Sequence, residues 1–329
     1  MKELPLYPIK FHPVFKEKIW GGSKLKSQLN KHDAPENCGE SWEISAVPGS
    51  VSVVKNGFLE GNTLQDILEI YMGDLLGPDI FELFGENFPL LIKFIDANDD
   101  LSVQVHPDDE VAAKKHESFG KTEAWYIVDA ESDAKLVSGF NKSVAKSEFV
   151  ARMNNNEILP VLNRVSVKAE DLFFIPAGRV HATGKGILFA EIQQNSDVTY
   201  RIYDWDRMGV DGKPRQLHVQ EAMEVIDFSE IKQAETLYES EINSPSRMLR
   251  TDYFIMNMIH IDKKITKSYV DCQSFVVYMC VDGKAEIRSD NASETIEKGE
   301  SILLPYELME IQIIPDKEVK MIEVYIELE

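Results

Sequence analysis

Three short stretches carry side chains that could hold a metal ion. The first reads Leu101-Ser102-Val103-Gln104-Val105-His106-Pro107. Gln104 and His106 are two apart, so on a strand both side chains project from one face while Val103 and Val105 project from the other. Pro107 has no N–H to donate and ends the ladder. The second stretch, Gly120-Lys121-Thr122-Glu123, puts a carboxylate at the start of a strand-like run from Ala124 to Val128. The third, Pro176-Ala177-Gly178-Arg179-Val180-His181, ends on a second imidazole. Two imidazoles and a carboxylate from three strands, with a carboxamide beside them, make a nitrogen and oxygen donor set. Such a set suits zinc or another divalent first-row ion that keeps an open position. A lone histidine on a strand is more often an ordinary core or surface residue. Here the same-face Gln104, the following Pro107 and the Pro-x-Gly turn before His181 weigh toward a joint site.

The composition bounds what such a site could act on. The chain has 329 residues, enough for two to three domains, with 43% hydrophobic and 28% charged residues. The formal net charge of −21 argues against nucleic acid or an anionic membrane as partner, because phosphate backbones and acidic lipid surfaces would be repelled. A small anionic substrate remains compatible, since a pocket can be basic on an acidic protein. The three cysteines, Cys38, Cys272 and Cys280, are odd in number and contain no CxxC, so neither a disulfide framework nor a zinc knuckle is indicated. The start, Met1-Lys2-Glu3-Leu4-Pro5, has no apolar segment of the secretory kind, and no run is long and apolar enough to cross a bilayer. A cytoplasmic location is expected.

The elements that must position these residues are mostly short strands. Lys18-Ile19-Trp20-Gly21-Gly22 reads as a turn beside an aromatic, and Glu40 to Ser45 and Ser50 to Val54 as strands. Trp20 and Trp42 read first as core packing. Helical spacing appears near 62–85, where Leu64, Ile67, Leu68 and Tyr71 follow a cap-like Asn62-Thr63, with an interruption at Gly77-Pro78. Further helices are expected near 108–118, 143–154 and 215–228. Phe88 to Ile95 is an apolar strand containing Lys93, which must find an anion or reach water. A polar run from Ala234 to Pro245 marks a domain boundary, giving an N-terminal domain over 1–240 and a C-terminal one over 241–329. The second is nearly all short strands with turn signals and echoes the first: residues 168–176 resemble 297–305, and 126–130 resemble 278–283. The ligands are missing from the second copy, where Glu310 stands at the place of His181 and Phe275 at that of Glu123. That half reads as structural.

Taken in order, Gln104-x-His106-Pro107, Gly-Lys-x-Glu123, Pro176-Ala177-Gly178-x-x-His181 and the run to Arg201 resemble the type I mannose-6-phosphate isomerases, in their short bacterial form. The resemblance covers most of the chain and is strongest from Pro89 to Arg207. It implies a mainly β protein of two cupin-like β-barrels (jelly rolls) with a small helical insertion in the N-terminal half. It implies one zinc ion per chain, other divalent ions being open, held by Gln104, His106, Glu123 and His181. Arg201 matches the family's active-site arginine, Lys121 and Lys93 its lysines, and Ser102 its phosphate-contacting serine. Glu191 and Asp197 match acidic residues of the same pocket, and Trp20 is assigned to substrate binding. The family's further phosphate-binding lysine has no clear counterpart, and Arg207 stands in for it. Arg201 read by itself could equally pair with Asp204 or Asp206 at the surface.

The implied reaction moves a proton from C2 to C1 of a phosphorylated hexose through a cis-enediol, with Arg201, Lys121, Glu191 and Asp197 as the catalytic candidates. Lys121 would need a lowered pKa to act as a base, which nearby cations could supply. Two other classes stay open: a cupin metal-dependent dioxygenase, since two histidines and a carboxylate also make an iron site, and a non-catalytic sugar-binding cupin. The partner expected is a phosphorylated hexose, with no nucleic acid and no membrane, for a monomer or homodimer.

Overall fold

Short strands from the first two hundred residues form two large antiparallel sheets, besides a small pairing of Phe11–His12 with Val53–Val54. The computed structural model describes residues 5–155, 157–209 and 212–328. The larger sheet has six strands in the order Leu172–Ile175, Glu123–Ala130, Ile187–Gln194, Leu90–Ala97, Cys38–Ile44, Val14–Gly22. The smaller has five, ordered Tyr200–Tyr203, Val103–Val105, His181–Thr183, Lys135–Phe140, Leu162–Ser166. One apolar cluster joins them, with Trp20, Ile95, Trp125 and Phe189 from the six-stranded sheet packed with Leu136 of the five-stranded one. Leu90–Ala97 and Ile187–Gln194 are buried along their whole length, as expected of central strands covered on both faces.

A third sheet belongs to the C-terminal part. Its order is Ser246–Arg250, Ile255–Ile261, Glu310–Tyr325, Val276–Arg288, Ser293–Glu297, with Ile265–Ser268 and Ser301–Leu304 paired on the two long strands. These two strands, of 16 and 13 residues, replace the uniformly short strands expected from the turn signals. The chain is thus mainly β with a cupin-like fold, but hydrogen bonding among the described residues leaves the sheets open rather than closed into barrels.

Several local readings change. Lys18 to Gly22 is the end of a nine-residue strand, not a turn. Its glycines are there for close approach: a Cβ on Gly21 would lie 2.4 Å from the Asn37 carbonyl oxygen, and one on Gly22 2.6 Å from Asp96 Oδ2. The helix at Leu64–Leu76 starts on a capping box in which Thr63 and Asp66 bond reciprocally, is broken at Met72, and is followed by Pro78–Phe84. Asp109–His116 and Lys146–Asn154 are also helical. Of 215–228 only Val219–Val225 is helical, because Gln216 and His218 are drawn into contacts with Arg201.

The internal echo is in register, with one correction. Phe173 faces Trp125 across the first copy and Ile302 faces Tyr278 across the second. That alignment sets Val276, not Phe275, at the place of Glu123, since Ile175 pairs with Glu123 and Leu304 with Val276. Each copy carries a ladder irregularity at the equivalent place, Val128 in the first and Val281 in the second, so the two copies share this feature as well.

Candidate metal centre and active-site cavity

The three motif stretches are tied to one another by their backbones. Lys121 N–H donates to the Pro107 carbonyl at 3.0 Å, and Gly178 N–H to the His106 carbonyl at 2.9 Å. Gly178 sits at φ +84 with the Val225 carbonyl 2.8 Å from where a Cβ would be, so both the turn and the close approach require glycine. Glu123 opens its strand in the six-stranded sheet, while His181 opens one in the five-stranded sheet and His106 follows the end of another. The site therefore lies where the two sheets face each other.

There His106, Glu123 and His181 converge, with their ligand atoms all within 4.8 Å of one another. His181 Nε2 is 3.3 Å from Glu123 Oε1, and His106 Nε2 is 3.6 Å from Glu123 Oε2. Both imidazoles are fixed from behind: His106 Nδ1 lies 2.9 Å from the Val198 carbonyl oxygen and His181 Nδ1 2.8 Å from that of Arg179. Each Nδ1 is thereby the donor, which leaves an Nε2 lone pair aimed inward. Burial pushes the His181 imidazole down to about 3 and His106 well below its usual range, while burial raises the Glu123 carboxyl to about 7. His181 Nε2 and both Glu123 oxygens are buried without a hydrogen-bond partner. Buried polar atoms without partners are costly. Neutral imidazoles and a carboxylate whose one close cation is Lys121 are a donor set that fits a divalent ion.

A cavity of about 460 Å³ opens over this cluster. Trp20, Lys93, Ser102, Gln104, Lys121, Glu191, Asp197 and Arg201 all line it. Gln104 stands directly across from His181 in the sheet register and from Arg201 on its other side. Lys93 donates to Glu191 at 2.8 Å and to Gln193, and Trp125 Nε1–H donates to the other Glu191 oxygen at 2.9 Å. Burial alone would raise the Glu191 carboxyl, but Lys93 and Lys121 outweigh it and leave it lowered. Lys121 Nζ approaches His106 Nε2 and Glu123 Oε2 to 3.2 Å each. Burial would lower its pKa; Glu123 and Glu191 reverse that and raise it, the opposite of the lowered value a base would require.

Arg201 is not a surface ion pair. Its Nη1 donates to the Gln216 carbonyl at 2.8 Å, its backbone N–H to His218 Nδ1 at 3.2 Å, and its buried Nε has no partner. The Asp204 carboxylate is taken instead by Arg215 at 2.5 Å and by Arg207 at 3.1 Å. Arg207 also meets Asp99 and does not line the cavity, whereas Arg215 does.

Sequence reasoning missed Arg215, together with Lys16, Lys18, Glu40 and Trp42. Burial raises the Glu40 carboxyl, but Lys18, Lys93 and the Trp42 indole bring it down to about 2. The alternation Glu40-Ser41-Trp42 was the available signal, because it puts both side chains on one face. Nothing around Arg215 marked it. The lining holds six cations, Lys16, Lys18, Lys93, Lys121, Arg201 and Arg215, against three carboxylates, Glu40, Glu191 and Asp197. On a chain of net charge −21 this is a local basic field.

A cupin-like scaffold with a buried His-Glu-His set beneath a basic cavity defines a metal-site protein built to receive a small anion. Comparisons with known proteins narrow this. The family model of the phosphomannose isomerase type I catalytic domain matches residues 9–126, and that of the mannose-6-phosphate isomerase cupin domain matches 246–326. The mannose-6-phosphate isomerase ManA of Bacillus subtilis is 38% identical over 310 residues, 93% of this chain and 95% of its own. A mannose-6-phosphate isomerase of Streptococcus mutans is 33% identical, over 95% of this chain and 96% of its own. The crystal structure of the mannose 6-phosphate isomerase from Bacillus subtilis superposes with a TM-score of 0.86 at 32% identity, covering 98% of this chain and all of that one. The chain belongs to the type I phosphomannose isomerase family.

Proposed function

We propose that the protein is a metal-dependent aldose–ketose isomerase that interconverts mannose 6-phosphate and fructose 6-phosphate. The observation that carries this is the buried His106, Glu123 and His181 set, with His181 Nε2 and the Glu123 oxygens lacking hydrogen-bond partners, next to a cavity rich in cations that Lys121 and Gln104 line. The ion would be one zinc per chain, with Gln104 as a fourth donor; when bound it would act as a Lewis acid toward the sugar oxygens. Lys121, kept protonated by Glu123 and Glu191, donates a hydrogen bond to a sugar oxygen rather than taking a proton. Glu191 and Asp197 are then the groups available to move the proton between C2 and C1. Glu191 is held ionised and oriented by Lys93 and Trp125, whereas Asp197 sits exposed at the mouth. Arg201, with its free buried Nε, faces the developing oxyanion or the phosphate, and Arg215 and Ser102 complete the grip on the phosphate. Trp20 supplies an apolar wall.

The scaffold reading is two cupin-like jelly rolls, 1–240 carrying the chemistry with a small helical insertion and 241–329 without metal ligands. The matching register of the two copies supports it. A dioxygenase is not favoured, because the relatives that cover this chain are mannose-6-phosphate isomerases and the cavity holds six cations to three carboxylates. A coupled assay of fructose 6-phosphate formation from mannose 6-phosphate tests the proposal. Turnover that is lost with a chelator and returns with zinc is expected; oxygen uptake without isomerisation, or no turnover at all, refutes it.

A further inference from the structure

The C-terminal sheet repeats one feature of the catalytic sheet that nothing in the isomerase chemistry uses. In the catalytic sheet Glu191 lies mid-ladder with Lys93 on one neighbouring strand and Trp125 on the other, and both donate to it. In the C-terminal sheet Glu323 lies mid-ladder with Asn257 on one neighbour and Tyr278 on the other, and both donate to it, at 2.8 and 2.9 Å. Tyr269 adds a third hydrogen bond at 2.7 Å and Lys267 an ion pair at 2.7 Å. Glu323 is 1% exposed. A scaffold alone would be at least as stable with apolar residues of similar volume here, because desolvating a carboxylate offsets what its partners return.

This cluster also floors a cavity, of about 470 Å³, close to the 460 Å³ of the catalytic one. Gln273 and Asp271 are exposed at its rim. The charge balance differs from the first site. Its two cations are already engaged, Lys267 by Glu323 and Arg250 by Glu327 at 3.0 Å, and Asp271 adds a further negative charge. No cation is left over for a phosphate. The Asn257 amide, the Tyr269 hydroxyl and the Lys267 ammonium converge on the Glu323 carboxylate at the cavity wall beside the Tyr325 ring, and such a set of donors and acceptors suits a neutral polyhydroxylated molecule. We propose that the C-terminal sheet carries a second, non-catalytic binding site for an unphosphorylated hexose, floored by Glu323 and lined by Asn257, Lys267 and Tyr269. The cavity and its cluster stand independently of the isomerase reading; only the choice of a hexose rests on it.

The probe is free mannose, titrated into the full-length, metal-loaded protein while amide resonances are followed by NMR. The expected result is a saturable shift of the Asn257 side-chain amide and of backbone amides from 267 to 273. It should persist in His181→Ala and weaken at least tenfold in Asn257→Leu, with mannose 6-phosphate turnover in Asn257→Leu unchanged. Should Asn257→Leu fail to fold, the exposed rim variant Asp271→Ala/Gln273→Ala decides, with severalfold weaker binding expected. No saturable shift at these residues, a shift abolished by His181→Ala, or undiminished binding in the folded variants overturns the second site. Loss of turnover in the wild-type protein would instead refute the isomerase reading and leave the mannose titration to be judged by itself.

Discussion

Arg201 is the cavity residue whose role is most open to a single substitution, because its Nε is buried and unbonded while Nη1 is already committed to Gln216. Lysine keeps the charge but not the planar fork. Arg201→Lys should keep fold and metal while kcat falls roughly ten- to a thousandfold, a loss of about 1.4–4 kcal/mol in transition-state stabilisation. Wild-type kcat and KM together would remove Arg201 from the site. The two neighbouring arginines separate in the same assay: Arg215→Ala should raise KM about tenfold, the effect of about 1.4 kcal/mol of lost phosphate binding, and Arg207→Ala, outside the cavity, should leave KM unchanged. Acid stability follows from the histidines. Unfolded, both imidazoles titrate near the usual value of 6.5, whereas folded His181 is pushed down to about 3 and His106 is lowered too. Between those values the unfolded chain binds protons the folded chain does not, so stability of the chelated protein falls as pH drops through this window. Glu40, at about 2 against an ordinary 4.5, acts in the same direction below about pH 4.5. Glu123, raised to about 7 in the fold, works the other way between about 4.5 and 7 and offsets one of the two imidazoles. Urea midpoints of chelated protein should therefore decline between about pH 6 and 4, where the two imidazoles outweigh that one carboxyl; a rise over that range contradicts these assignments. His106 was legible in the sequence because Pro107 ends its strand, and Glu123 and His181 because Gly120 and Gly178 stand three residues before them. Arg215 was not, since only the fold brings it from an unmarked loop to the cavity wall.

At the level of elements, the site depends on strands approaching more closely than side chains permit. Val14–Gly22 is an edge strand whose Gly21 lies against the Asn37 backbone and whose preceding residue, Trp20, lines the cavity. Gly21→Ala places a methyl where backbone must move, so about 1–3 kcal/mol of stability should be lost, read as a lower denaturant midpoint with KM raised through Trp20. An unchanged midpoint would show that the strand has room to spare. In the sequence this Gly-Gly pair reads as a turn, because a glycine kept for space and one kept for φ look alike. The alternation of Glu40 to Ser45 and the apolar run Phe88 to Ile95, which mark Cys38–Ile44 and Leu90–Ala97, are local and therefore visible. The pairing that sets Val276 in the place of Glu123 is made between strands distant in sequence, so similarity of the two copies missed it by one residue.

Across the whole molecule, the metal-bearing and C-terminal parts share one core. A single apolar cluster runs from Leu6 and Phe88 to Phe254, Phe275 and Ile322, with the Phe88 and Phe275 rings 4.7 Å apart. Ile9 and Leu303 exchange backbone hydrogen bonds at 2.8 Å, and Lys10 pairs with Glu300 at 2.6 Å. The two parts should therefore melt together: Phe275→Ala, costing about 3–5 kcal/mol, should lower one common calorimetric transition. Two separate transitions, only one of them shifted, would contradict a shared core. The repeat of the two halves was legible from sequence, but their fusion was not, because apolar residues at 6, 88 and 275 carry no mark of whom they meet. The central claim is a metal-centred isomerase, and the most direct test is elemental analysis of purified wild type and His181→Ala beside their turnover of mannose 6-phosphate. About one divalent ion per chain is predicted for wild type, with ion and turnover lost together in the variant; full metal content in a folded His181→Ala would contradict it.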